Sequence, residues 1–470
     1  MRAHVSCFLT VSVLTGCATY HPRPLQPPDL ERAYYARSFA DPALQEYVVA
    51  NVGTAGTAWP PRSVDLKTLT LIGYYYSASL EVARAQLSAA EAGIQAAHAR
   101  INPGLVGSAG YDRNPESRFD RSLGPSFTVE TAGKRGYRIL RAEAEAESAR
   151  NTLAEASWQL RSGVRAAFVN HLLAAARFEL IEREAQVRSE IVEIFERRLA
   201  VGEAARPELD IYRVSLITAN ASLRRSRGDV TQTRAALANA VGLPSDVLSS
   251  VTWTAPRFET PARPEALPVS TVQRAGVLHR ADLRRSLSDF AATDASLRLE
   301  LARQYPDLVL LPAYEFQESF ARYVLNVTAE PLALFHRNQG PIAVALAQRE
   351  EAAAKFEGLQ ARAIGDIETA LIRYRATFAQ WQEAGDQLTA VQRDREEAAR
   401  RALAVGEGDR LALATARLET VTAARARLDA LADVQNAMGA LEDALQQPLE
   451  DALTVPDVPR VSPRKGLPAQ

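Results

Sequence analysis

Arg198-Leu199-Ala200-Val201-Gly202-Glu203 ends a long helical pattern, and Ala402-Leu403-Ala404-Val405-Gly406-Glu407 repeats it 204 residues later. Gly133-Lys134-Arg135-Gly136 stands opposite Arg337-Asn338-Gln339-Gly340 at the same interval of 204, as does Leu243-Pro244 opposite Gln447-Pro448. Further upstream, Asn102-Pro103-Gly104-Leu105 answers Tyr305-Pro306-Asp307-Leu308 at 203. Landmarks that hold register over so long a span mark an internal duplication, hence a pseudo-symmetric structure rather than a short-period solenoid. Gly202 and Gly406 sit where a tight turn between two helices needs a permissive backbone.

Each half has the same order of patterns. A helix comes first, Asp65–Arg100 and Val269–Arg303, and a proline ends it. Two strand-like segments follow, Leu105–Arg113 and Ser122–Thr131 in one half, Leu308–Phe316 and Arg322–Leu332 in the other. Phe127, Val129 and Thr131 alternate with Ser126, Thr128 and Glu130, the period-two pattern of a wall between lipid and water. Tyr137–Leu199 then runs without proline and with one glycine, Gly163, which at 1.5 Å per residue predicts a rod of roughly 95 Å. Leu153, Ser157, Leu160, Val164, Ala167, His171, Ala174, Phe178, Ile181, Ala185, Arg188, Val192, Phe195 and Leu199 follow one another by steps of four and three, the seam of a coiled coil. Pro341–Leu403 carries a weaker seam through Ala370, Tyr374, Trp381, Leu388 and Val391. Returning helices follow at Pro207–Val241, with proline in its favoured first turn, and at Asp409–Leu445.

The chain has 470 residues, 47% hydrophobic but only 7% aromatic, so alanine supplies much of the apolar content. A formal net charge of -1 offers nothing to attract nucleic acid, and that partner is not expected. The two cysteines, Cys7 and Cys17, lie at the extreme N-terminus and exclude a disulfide framework. Met1-Arg2-Ala3-His4 followed by apolar Val5–Leu14 reads as an export signal, too short for a lasting anchor. Leu14-Thr15-Gly16-Cys17 resembles a bacterial lipobox, which implies cleavage before Cys17 and lipidation of Cys17; a plain secretory signal is the alternative. Ala18, in place of an aspartate, resembles outer-membrane sorting. The expected organisation is a signal over 1–16, an extended anchored segment over 17–64, a first repeat over 65–254, a Pro-rich linker over 255–268, a second repeat over 269–449 and a tail over 450–470. Short helices are expected near Leu30–Arg37 and Ala43–Val52.

After Val5–Leu14 no apolar run is long enough for a transmembrane helix, so a membrane crossing must use strands of a closed barrel. Four strands in one chain cannot close a useful bore or satisfy their edges in lipid, whereas about twelve from three copies can. The expected fold is mainly α with a small β part: a long α-helical coiled-coil barrel joined to a transmembrane β-barrel, four strands per chain, completed in a trimer.

From about Asp65 to Pro448 the sequence resembles the TolC-like outer-membrane factors, on the two-fold repeat, the strand pair in each half and the Val-Gly turns. Thr131-Ala132-Gly133-Lys134-Arg135-Gly136-Tyr137-Arg138-Ile139 and Leu334-Phe335-His336-Arg337-Asn338-Gln339-Gly340-Pro341-Ile342 look like the strand-to-helix junctions of the CzcC-like heavy-metal efflux branch; close variants occur in drug and solvent pumps. The resemblance implies a homotrimer in outer-membrane lipid, a periplasmic tunnel, a periplasmic adaptor protein at its tips and an inner-membrane transporter, the RND type among the candidates. A drug, solvent or type I secretion duct is the alternative within the family. A pore-free coiled-coil lipoprotein is the alternative outside it, and leaves the paired strands unexplained.

No catalytic constellation is present, so no enzyme activity and no cofactor are expected. His4, His21, His98, His171, His279 and His336 are scattered and form no metal-ligand spacing. His171, on the coiled-coil seam, reads as a packed histidine. Val201, Gly202, Glu203, Val405, Gly406 and Glu407 are the candidate adaptor contacts, since an apolar residue at a protruding tip has no core of its own to enter. In the resembling family, acids just past the tip line the narrow entrance, which points to Asp210. Its counterpart at 204 is Ala414, so a trimer carries one acidic ring there, with Asp409 adding charge nearby. The competing role for Asp210 is to complement its helix N-terminus.

Overall fold

The computed structural model describes residues 20–52, 59, 63–111, 119–249, 251–256, 258–264, 277, 279–317, 320–332 and 335–449. Cys17, the expected export signal and the expected tail lie outside them. The elements in order are α1 (Pro27–Tyr35), α2 (Pro42–Val52), β1 (Ser63–Val64), α3 (Leu66–Tyr76), α4 (Ala78–His98), β2 (Gly104–Tyr111), β3 (Phe119–Val129), α5 (Lys134–Ala200), α6 (Arg206–Val241) and β4 (Thr252–Trp253). There follow α7 (Ala281–Ala302), β5 (Asp307–Gln317), β6 (Phe320–Glu330), α8 (Gln339–Glu383), a π-helical turn (Ala384–Thr389), α9 (Ala390–Ala404) and α10 (Arg410–Leu445).

The fold class is as expected: mostly helix, with one four-stranded antiparallel sheet in the order β2-β3-β5-β6. The expected helix Asp65–Arg100 is two helices. Ser77 takes an extended backbone (φ -67, ψ 119), and its hydroxyl accepts the Leu80 amide 3.3 Å away, starting α4 afresh. The expected Pro341–Leu403 rod is also interrupted, at Ala384–Thr389. A π turn takes an extra residue per turn and so shifts the phase of the helix, and the seam that buries Ala370 and Tyr374 no longer points inward beyond it. Val391, expected on that seam, is 52% exposed.

α5 is unbroken for 67 residues, about 100 Å. Leu153, Ser157, Val164, His171, Ile181, Ala185, Val192 and Phe195 of its expected seam are buried. So are Trp158, Arg161, Arg165 and Val169 on a second face. α5 is therefore a wall helix with neighbours on several sides: α6, α7, α4 and α10. The largest core joins α2, α3, the start of α4 and the middle of α5 to the end of α6, through Leu44, Leu69, Ile72, Leu80, Val164, Phe168 and Leu237. A second core holds α8 to α10 through Ile367, Tyr374, Val434 and Leu441.

Between them lies a buried polar clasp. Arg161 Nη1 and Arg165 Nε each lie 3.1 Å from Glu442 Oε2. Glu442 Oε1 accepts the Leu449 amide at 2.9 Å, and Arg165 also donates to the Gln435 carbonyl and side chain. The Trp158 indole donates to Asp443 at 3.1 Å. These bonds tie the first repeat to the last helix of the second.

Candidate functional site

The sheet has two unlike faces. Its register, Leu105↔Pro125, Leu123↔Tyr314, Phe127↔Leu310, Pro312↔Leu325 and Tyr314↔Tyr323, sets Leu105, Tyr111, Phe119, Leu123, Phe127, Val129, Leu308, Leu310, Tyr314, Phe316, Tyr323, Leu325 and Val327 on one side. The other side carries Ser108, Ser122, Ser126, Thr128, Glu315, Arg322, Asn326 and Thr328, interspersed with Val106, Val309, Leu311, Phe320 and Val324, while Arg121 is the charged residue on the first side. Ser108 and Ser122 are hydrogen-bonded across the strands at 2.8 Å, and Arg322 lies 2.8 Å from Glu315. Along β3 the apolar side is exposed and the polar side mostly half-covered, as on the outside and inside of a curved wall. Each of β3, β5 and β6 has 11 residues, about what a tilted strand needs to cross a bilayer.

The turn at Ala132 (φ 54) and Gly133 (φ 75) leads from β3 into α5. Lys134 is buried here: its ammonium donates to Asp307 at 2.8 Å and to the Tyr305 carbonyl at 2.7 Å. Glu130 is held by both terminal nitrogens of Arg138, at 2.6 and 3.1 Å.

The two hairpin tips have the same backbone. Gly202 (φ 80) and Gly406 (φ 82) take the left-handed conformation. The Gly202 amide donates to Leu199 and the Glu203 amide to Arg198; Gly406 and Glu407 likewise donate to Leu403 and Ala402. These bonds satisfy the last carbonyls of α5 and α9. Val201 and Val405 are each 71% exposed, and Glu203 and Glu407 are exposed beside them. Gly408 is a further requirement: a Cβ there would lie 2.7 Å from the Leu403 nitrogen, while its counterpart at 204 is Ala204.

Asp409 is engaged. It caps α10 by accepting the Leu411 amide at 3.3 Å, and it pairs with Arg198 at 2.7 Å, bridging the tips of the two repeats. Asp210 faces solvent on the second turn of α6, 3.8 Å from Arg213. Its counterpart Ala414 is buried with Leu209, Ile191 and Phe195. The equivalent positions thus point to different surroundings. His171 is packed, with Nδ1 3.2 Å from the Thr233 hydroxyl and its ring edge-on to Trp253. Burial, with a smaller push from Arg234, lowers its pKa. Among the described residues no three histidine, cysteine, aspartate or glutamate side chains gather as a metal site, and no helix is long and apolar enough to cross a membrane.

Two surfaces escaped the sequence reading. Ile211, Val214 and Ile217 on α6 are 67%, 63% and 65% exposed, while Leu209 and Tyr212 on the same helix face the tip core. Their three-residue spacing is the signal that marks them as one stripe. Phe335, between β6 and α8, is 100% exposed.

Residues 76–243 match the sequence family described as outer membrane efflux protein. The chain is 28% identical over 280 residues to the cobalt-zinc-cadmium resistance protein CzcC of Cupriavidus metallidurans; the match covers 59% of this chain and 65% of that relative, just under two thirds of its length. In fold it is similar to the outer membrane protein VceC of Vibrio cholerae, with a TM-score of 0.65 and 20% identity over 82% of this chain and 97% of that one. The open state of the MtrE outer membrane channel of Neisseria gonorrhoeae gives 0.63 and 17% over 81% and 88%.

Proposed function

We propose that this chain, which matches the outer membrane efflux protein family over residues 76–243, is the outer-membrane exit duct of a tripartite pump. The observation that carries the proposal is a four-stranded sheet with one mainly apolar face and one face that gathers most of its polar side chains, continued by helices of up to about 100 Å. In this reading three copies close a barrel of about twelve strands, since lipid leaves no sheet edge unpaired. The helices hang into the periplasm as a tunnel. The tips, Val201-Gly202-Glu203 and Val405-Gly406-Glu407, meet a periplasmic adaptor that links the duct to an inner-membrane transporter. Cys17, acylated, tethers the mature N-terminus to the outer membrane. The duct itself is passive.

The likeness to CzcC supports metal cations as cargo. In a conduit such ions are substrate and must bind weakly enough to leave. Asp210, exposed near one tip, is the candidate acid for favouring cations at the entrance. The deciding experiment is extraction of the Cys17→Ala variant followed by reconstitution. The duct reading expects the variant to stay in membranes until detergent is added, and then to conduct ions in a planar bilayer. Release by buffer alone would favour a lipid-tethered spacer instead.

A further inference from the structure

The two repeats share one sheet at the β3·β5 seam, and a polar clamp closes that seam where the strands enter the helices. The Thr131 amide donates to Asp307 at 2.9 Å and its hydroxyl to the Pro306 carbonyl at 2.5 Å. Lys134 completes the clamp through Asp307 and the Tyr305 carbonyl. The sheet order leaves β2 and β6 as edges. In the internal repeat β6 is the counterpart of β3, and β2 the counterpart of β5. A second copy that lays its β2 beside β6 therefore continues the sheet by the same rule, and satisfies an edge that lipid would leave bare.

At that second seam the sequence keeps the proline of the clamp, Pro306 as Pro103, and changes its other residues. At an interval of 204, Thr131 becomes Phe335 and Lys134 becomes Asn338; at 203, Tyr305 becomes Asn102 and Asp307 becomes Gly104. No ion pair can form from these. Asn338 is also turned inward, donating to the carbonyl and the carboxylate of Glu300, each at 2.8 Å. What the seam offers instead is mainly apolar: Phe335 at 100% exposure and Leu332 at 60% on one side, with exposed His336 and Arg337 beside them, and Ile101 at 49% and Leu105 at 75% on the other.

Resting on the trimeric reading above, we propose that a second copy of this chain seats against Phe335, between β6 and α8, with Phe335 against Asn102-Pro103-Gly104 of the neighbour. The seam between copies is thus closed by apolar contact, and the seam within a copy by the Lys134–Asp307 ion pair. The assembled collar alternates three ionic and three apolar seams.

Cysteine pairs test this in the full chain. Phe335→Cys is combined with Asn102→Cys or with Pro103→Cys, and each single variant controls for Cys7 and Cys17. Oxidation or a short bismaleimide should yield covalent dimers and trimers on a denaturing gel in the double variants alone. Native mass spectrometry of the same samples reports assembly. A trimer there that gives only monomers on the denaturing gel overturns the seam, assigns Phe335 to lipid, and leaves the trimer standing. A monomer in native mass spectrometry overturns both. Phe335→Asp should also lower the trimer fraction in detergent while Lys134→Met leaves it unchanged; equal effects would overturn the distinction between the two seams.

Discussion

Glu442 has the most at stake of the residues described here. It is the shared counter-ion of Arg161 and Arg165, all three buried. Glu442→Ala strands two guanidinium groups, and denaturant unfolding should show a loss of about 3–5 kcal/mol. Replacing all three by apolar residues of similar volume should cost much less, because the expense lies in the unpaired charge. At the tips, Gly202→Ala places a Cβ on a left-handed backbone with open space around it, so a loss of about 1 kcal/mol from backbone strain alone is expected in the same assay. His171 adds a pH dependence. Its folded pKa lies below the ordinary 6.5, chiefly through burial, so the unfolded chain takes up a proton first as pH falls. Stability should therefore drop below about pH 6.5, until the folded-state pKa is reached, and His171→Gln should flatten that part of a Tm-against-pH curve relative to the parent.

Among the elements, the hairpins carry the predictions about partners. Val201→Asp with Val405→Asp should reduce site-directed cross-linking to the adaptor while native mass spectrometry still reports the trimer; undiminished cross-linking would make the tips simple turns. Asp210→Asn should lower cation preference and block by multivalent cations in a planar bilayer, since a ring of like charge in a narrow mouth favours cations. Unchanged selectivity with a lower Tm would make Asp210 a helix-end residue. These elements were legible to different depths. The long first-repeat helix showed in full because its seam repeats without proline, and the turns showed because glycine is needed at positive φ. The second face of α5 did not show, because Arg161 and Arg165 read as solvated until Glu442 is brought to them from 281 and 277 residues away. The π turn escaped because Ala384-Gly385-Asp386-Gln387-Leu388-Thr389 contains nothing that a regular helix forbids. Phe335 escaped because its role lies between copies, and a periodicity within one chain has no term for a neighbour.

For the whole molecule, mass spectrometry of the mature N-terminal peptide should find Cys17 acylated, and an unmodified peptide starting elsewhere would remove the tether. A twelve-stranded wall also predicts that trimers survive in detergent without Cys17, because the strands rather than the lipid hold the protein in place. The uninterrupted α5 and the broken path of α8 and α9 have a mechanical consequence. A regular helix carries load along its axis through a continuous ladder of hydrogen bonds, so a push at Gly202 arrives some 100 Å away at Gly133 with little loss. Along the second repeat the same push meets the π turn, where the ladder changes pitch, and below it α9, which buries none of its side chains in the isolated copy. One repeat is then a strut and the other a spring, and in the proposed trimer the tube should resist compression at about three places around its circumference and yield at those between.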